Sequence, residues 1–325
     1  MEAPALPEFE EKAPHEKGFS EHFKKHIQPI LGDLELRRLE QYKKFKKRLP
    51  FGVIFGALSV LIGLALSIAT GIEDDAGIFM QFGMSGAAAL GVWTYMPVFK
   101  YKQEVKSKFL PAICSFSGNT SYQTEGLSDI ESRLQGQIFP RHSKINTEDF
   151  IHGEFQGIPF DLHESELFTK GDRGKTTKVF SGLVLRLQFP KAFHGRTILL
   201  KDGGTLGNFL TGKDFNGLAH IALEDPEFEK LFQVFGSDQI EARVLLTTAF
   251  MERILKLASL RSKNGSQIQA IFQDKELVLA IRSDQNLFEP GSIRESALKM
   301  NDLHLFLEQM HEIFELIKIL KLDRV

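Results

Sequence analysis

FGVIFGALSVLIGLALSIAT at residues 51–70, GIEDD at 71–75 and AGIFMQFGMSGAAALGVWTYMPVF at 76–99 decide the fold. Bilayer hydrocarbon is about 30 Å thick and a helix rises about 1.5 Å per residue, so about 20 apolar residues are needed to cross it. Both outer runs reach that length, and neither contains Asp, Glu, Lys, Arg or His. Core helices of soluble proteins seldom stay uncharged on every face for so long. The runs also begin too late and extend too far for a signal peptide, and no small-residue cleavage pattern follows them. The expectation is a two-helix transmembrane hairpin over residues 49–99, with spans at 51–70 and 76–99.

Working outward, the flanks set the orientation. Lys43, Lys44, Lys46, Lys47 and Arg48 precede the first run, Lys100, Lys102, Lys106 and Lys108 follow the second, and the connection is acidic. Cytoplasmic loops are enriched in Lys and Arg, which puts both termini in the cytoplasm. Trp93 and Tyr95 sit near the cytoplasmic end of the second span, where amphipathic rings favour the headgroup zone. No ionisable group lies within either run, so the hairpin reads as an anchor rather than a transport path. Gly52, Gly56 and Gly63, with Ser59 and Ser67, are answered by Gly83, Ala87 and Gly91. Small residues let backbones approach in lipid, either between the two helices of one hairpin or in a homo-oligomer through the same stripe.

Before the hairpin, residues 1–18 combine Pro4, Pro7 and Pro14 with several acids and lack apolar periodicity, and are expected to form a disordered tail. Residues 19–48 form an amphipathic basic helical segment, with Phe23, Ile27, Ile30, Leu31 and Leu34 at helical spacing and Pro29 permitting a break. This segment either lies on the bilayer or packs against the C-terminal domain.

Residues 100–325 are expected to be a cytosolic α+β domain, large enough for a sizeable core. A net charge of −2 offers no broad basic surface, so no nucleic acid partner is expected, and the basic clusters at the membrane can attract anionic lipid. Cys114 is the single cysteine, which excludes an intramolecular disulfide and suits a reducing compartment. A helix continues over Tyr101–Phe116, and Ser128, Glu131 and Gly136 mark a short capped one. Leu183, Leu185, Leu187 and Phe189 alternate with Val184, Arg186 and Gln188 as a strand with one wet face. Ile268–Phe272 and Leu277–Ile281 flank Asp274-Lys275 as a hairpin. A helical stretch starts near Asp238 and runs through Leu245, Phe250, Ile254 and Leu257. A long C-terminal helix, about Ser296 to Leu322, closes the chain. Runs of strands followed by helices imply a mainly antiparallel sheet packed by helices.

Candidate chemistry is thin. Gly171-Asp172-Arg173-Gly174-Lys175-Thr176 lacks the upstream glycine of a phosphate loop and leads into a strand, so it reads as a hairpin loop. Asp161, His163, Glu164 and Glu166 are dense in ligand atoms, but alternation puts Asp161 and His163 on one face and both glutamates on the other. They read as a solvated strand face. His304, Glu308 and His311 share a polar helix face, as do His22 and His26, with no further ligand evident. Lys201-Asp202-Gly203-Gly204 and Gly207 mark turns, and Glu241 with Arg243 reads as a salt bridge as readily as a binding pair. No residue is assigned a catalytic, cofactor-binding or metal-binding role.

Several motifs occur in a telling order: Phe139-Pro140, Glu148-Asp149-Phe150-Ile151-His152-Gly153, Phe180-Ser181-Gly182-Leu183, Glu224-Asp225-Pro226-Glu227-Phe228, Asp238-Gln239 with Glu241-Ala242-Arg243, and Leu287-Phe288-Glu289-Pro290. In these, from about residue 35 to 320, the chain resembles the bacterial two-span membrane proteins grouped as domain of unknown function 3137. It departs from them at Thr248-Ala249, where a proline helix start is expected, and after Leu200. The resemblance implies a bacterial inner-membrane address and brings no activity or catalytic residues. The expected function is a membrane-anchored cytosolic binding or scaffold module for a protein partner or anionic lipid. A membrane-tethered enzyme acting on a membrane-associated substrate is the alternative.

Overall fold

The computed structural model describes residues 7–70, 73–117, 119–125, 138–171, 174–201, 215, 217–260, 268–283, 292–295 and 300–322. They belong to two compact units. The capped helix expected near Ser128, the turns over 202–210 and the Leu287–Pro290 motif lie outside the described residues.

In the first unit, helix α1 (Phe19–His22) passes through a π-helical turn (Phe23–Ile27) into helix α2 (Gln28–Thr70). Pro29 has no N–H to complete the regular ladder, and the widened turn immediately precedes it. Helix α3 (Glu73–Cys114) runs back along α2. Along their outer turns two surface ion pairs link them: Lys108 Nζ lies 2.9 Å from Asp33 and Arg37 Nε 3.7 Å from Glu104. Phe23, Ile27, Leu31 and Leu34, the apolar face of the amphipathic segment, are buried.

Further along, glycine brings the helices together. A Cβ on Gly63 would sit 2.7 Å from the Phe79 carbonyl oxygen, one on Gly52 would overlap Thr94, and Ser59 Oγ donates to the Gly83 carbonyl at 2.9 Å. The small-residue stripe is therefore filled by α3, and a homo-oligomer through Gly52, Gly56 and Gly63 would have to displace it. Large side chains such as Phe51, Ile54, Leu61, Ile68, Phe82 and Val92 point outward and are exposed. Among the described residues one helix, counted from Pro14 to Ala69, is long and apolar enough to cross a membrane, with mean hydropathy 2.4 over its best window.

The tail expectation needs correction. From residue 7 the chain is placed, Pro14–Glu16 form a 3-10 turn, and Phe9 and Glu16 are buried. Phe9 packs against Phe23 in a tilted pair, with ring centroids 5.9 Å apart. Composition alone missed this because the buried residues are too sparse to show a period.

Among the described residues the second unit is built on a nine-stranded antiparallel sheet: β1 (Thr120–Glu125), β2 (Lys144–Phe155), β3 (Ile158–Lys170), β4 (Thr176–Gln188), β5 (Thr197–Lys201), β6 (Ala219–Ile221), β7 (Phe232–Gly236), β8 (Ile268–Gln273) and β9 (Glu276–Arg282). Their spatial order is β1-β2-β3-β4-β9-β8-β5-β7-β6. Gln156 and Gly157, both at positive φ, turn β2 into β3, and Asp274-Lys275 turns β8 into β9 as the sequence predicts.

One sheet face packs Leu167, Phe180, Val184, Ile198, Phe235 and Ile271 into a cluster. The other receives helices α6 (Thr248–Leu260), through Phe250 against Phe272, and α7 (Met300–Leu322), through Phe314 against Phe155 and Phe160. Strand β4 is thus covered on both faces around Val184, which is 1% exposed, rather than half wet. The helical stretch after Asp238 divides at Leu246 into α5 (Gln239–Leu245) and α6, with the short α4 (Pro226–Glu229) before it. Asp225 and Asp238 cap α4 and α5, each accepting two backbone N–H groups.

Candidate functional site

Strand β3 lies inside the sheet between β2 and β4, and this position decides the fate of its polar residues. Asp161, His163 and Ser165 pair across with Arg186, Val184 and Gly182, while Glu164 and Glu166 pair with Leu183 and Ser181. The split between faces is therefore as expected, but the solvated face is not. Asp161 is 7%, His163 1% and Glu164 8% exposed. Arg186 Nε and Nη2 donate to Asp161 at 2.9 and 2.6 Å, and Arg186 also reaches Glu276 at 3.1 Å. His163 Nδ1 meets Ser165 Oγ at 2.9 Å. An interior strand carrying charge has to supply partners for it, because burying an unpaired charge is costly.

Beside these residues strand β2 bulges between Glu148 and Ile151. Asp149 takes up the extra residue in a left-handed conformation, φ 54°, and is buried. Its carboxylate accepts a hydrogen bond from the Tyr122 hydroxyl on β1. Burial, and then this anionic partner, push the Tyr122 hydroxyl well above the ordinary tyrosine value, so it remains a donor. Cys114 is pushed up to about 12 by burial alone and remains a thiol, without the character of a reactive cysteine.

Past the bulge, Glu148 stands directly opposite Glu164, and Asn146 opposite Glu166. A recess of about 80 Å³ opens there, lined by Asn146, Glu148, Glu164, Ser165, Glu166, Ser181, Gly182 and Ser283. Gly182, at φ 156°, permits the close approach of β9: a Cβ would sit 2.1 Å from the Ile281 carbonyl oxygen. Lys178 on β4 pairs with Glu166 at the rim. Three carboxylates among hydroxyls give the recess a negative potential and suit it to positively charged groups. Among the described residues no group of three His, Cys, Asp or Glu side chains is arranged to hold a metal ion.

The other sequence candidates find structural partners. His304 Nδ1 lies 2.6 Å from Glu16, and His311 stacks on His15 with centroids 4.9 Å apart, so this helix face docks the turn at Pro14–Glu16. Burial raises the Glu16 carboxyl, but hydrogen bonds from His304, Lys12 and Ala13 bring it below the ordinary value. On the next turns, buried Glu312 receives Arg253 at 3.1 Å and Lys256 at 2.6 Å. His22, at the end of α1, and His26 in the π turn lie with ring centroids 4.7 Å apart. Between β3 and β4, Gly171 N–H donates to the Lys175 carbonyl at 2.8 Å. Glu241 accepts from the backbone N–H groups of His194 and Gly195, both at 2.7 Å, and braces the loop before β5.

Tyr122, Asp149 and the facing Glu148 are what sequence reasoning missed as a unit. Glu148-Asp149 stood in a family motif, but the bulge that aims them exists only in the register between β1, β2 and β3.

Fold and site together define an α+β protein in which two long helices accompany a large antiparallel sheet. Over residues 178–322 the chain matches the family described as protein of unknown function (DUF3137), the same family its motifs resemble. The match takes in β4, the α4–α6 region and α7, while the Phe139-Pro140 and Glu148–Gly153 motifs lie before it. No curated protein matches the chain. Among solved structures, the mycobacterial trehalose monomycolate transport factor A, TtfA, is similar at 11% identity and a TM-score of 0.36, over 64% of this chain and 92% of that one. A likeness at that level carries no argument about function.

Proposed function

We propose that this protein is a binding or scaffold module tethered to the bacterial inner membrane by two spans, about 51–70 and 76–99, with both termini and the sheet in the cytoplasm. The observation that carries this reading is the distribution of exposed apolar side chains. Among the described residues, apart from Leu36, Leu231, Ile240 and Val244, the large ones lie between Phe51 and Phe99. Only 11% of the best apolar window is buried, whereas a soluble core helix would be mostly covered. A continuous apolar surface of that extent on a protein in water is an aggregation hazard, and in lipid it is solvated. The basic flanks support the orientation, and the uncharged interior of both runs supports an anchor over a transporter.

The test is topological. A reporter fused after Val325 should be active only in its cytoplasmic form, with the chain resisting alkaline extraction from membranes. A periplasmic signal would overturn the orientation, and release into the soluble fraction would overturn the tether. Cross-linking in native membranes should then recover a specific partner; recovery of this chain alone would count against the scaffold reading. One observation favours an enzyme instead, the facing Glu148 and Glu164 carboxylates. Turnover of a membrane-associated substrate that is lost in both Glu148→Gln and Glu164→Gln, with the fold intact, would establish it.

A further inference from the structure

Below the exposed apolar belt the helix pair carries cations that the described protein does not neutralise. Lys43, Lys46, Lys47 and Lys100 are exposed, and among the described residues none of them has a carboxylate within ion-pair reach. The sequence explains why. No acid occurs between Glu40 and Glu73, or between Asp75 and Glu104, and Glu40 and Glu104 are engaged by Lys44 and Lys108. Elsewhere the protein pairs its charges readily, as at Arg38 with Glu35, Lys178 with Glu166 and Arg253 with Glu312.

The level is also built to a definite geometry. Arg48 lies over the Trp93 ring at 4.7 Å and donates to the Trp93 carbonyl at 2.9 Å. Phe45 packs on Tyr95 at 5.3 Å, and Lys46 lies over Tyr42 at 5.5 Å. Aromatic rings and cations thus meet over residues 42–48 and 93–100 of the two helices, next to side chains suited to lipid tails. The opposite end of the pair carries Glu73, Asp74 and Asp75 instead.

We infer that this ring binds the headgroups of anionic phospholipids of the cytoplasmic leaflet, selecting them over zwitterionic ones. The inference rests on the membrane-tether reading and adds the chemistry of the lipid. An anionic phosphate here meets ammonium groups that no carboxylate of the described residues engages, whereas a zwitterionic headgroup brings its own cation with it.

Trp93 is the single tryptophan and reports on the ring directly. The full chain is reconstituted in phosphatidylcholine bilayers containing phosphatidylglycerol, with bromine on the acyl chains of one lipid or the other, and Trp93 quenching is measured. About fivefold preference for phosphatidylglycerol is expected, the equivalent of one basic residue near an anionic surface, and it should weaken as salt screens the lysines. Replacing Lys43, Lys46, Lys47 and Lys100 together by Gln should bring the preference toward parity while quenching by brominated phosphatidylcholine is unchanged. Equal quenching by both lipids in the parent protein would overturn lipid selection and leave the tether standing. A preference surviving in the fourfold variant would overturn the assignment to these lysines. Quenching by neither lipid would place Trp93 outside the bilayer and overturn the tether with it.

Discussion

The helix pair and the sheet are both rich in apolar residues and arrange them in opposite ways. In the sheet, large side chains such as Leu162, Leu185, Phe235 and Phe272 are inside. Along α2 and α3, glycine, serine and threonine make the contact at Gly52, Ser59, Gly63, Gly83 and Thr94, and the large side chains face out. The sheet is held by removing apolar area from water. Where lipid is the solvent that drive disappears between helices, and close backbone approach with local hydrogen bonds takes its place. On the proposed membrane tether, the inversion follows from the solvent that each part faces.

The largest effect expected from breaking this contrast is in the sheet. Phe272→Ala empties a site packed by Phe193 and Phe250, and should cost about 3–5 kcal/mol, read by denaturant unfolding of the full chain in detergent through its β-sheet circular dichroism. A charge on the belt should cost nearly as much for a different reason. Leu61 is 59% exposed, so in water Leu61→Arg would be harmless; facing lipid it should disfavour membrane insertion by about 2.5–3.5 kcal/mol, seen as loss of the chain from the membrane fraction.

Overpacking the helix contact comes next. Gly63→Leu drives a side chain into the Phe79 backbone and should lower stability by about 1–3 kcal/mol in a detergent thermal melt. Gly91→Leu, where a Cβ meets nothing, should leave the melt unchanged. If the two glycines behaved alike, packing of α3 on this stripe would be refuted.

The smallest effect is electrostatic and confined to the sheet unit. Burial first, and then the facing His15, lower the pKa of His311; Glu312 and Glu315 oppose this and Arg253 adds to it. A histidine depressed in the folded state binds its proton more readily when unfolded. Its stabilising contribution is therefore complete above the ordinary value of 6.5 and declines as pH falls below it. The lowered Glu16 carboxyl acts in the same direction below its ordinary 4.5. Thermal unfolding of His311→Phe against pH should show a shallower decline just below 6.5 than the parent protein.

Much of this architecture is local and was legible. Run length and charge exclusion marked the apolar helix, helical spacing marked Phe23 to Leu34, Asp225 and Asp238 announced the caps of α4 and α5, and Asp274-Lys275 gave the β8–β9 turn. The strand face of Asp161, His163 and Glu164 was misread because alternation shows which residues share a face but not what covers it. That depended on β3 lying between β2 and β4, with Arg186 brought 25 residues along the chain to Asp161.

By itself the sequence determined the long helices, their apolar belt and basic flanks, and the antiparallel α+β class, because each follows from neighbours within a few turns or one strand pair. Only the tertiary structure decided that Asp149 would bulge toward Tyr122, that Glu148 would face Glu164, and that Glu16 would meet His304 across 288 residues. Those arrangements depend on register and on contacts between distant segments, for which a local pattern holds no record.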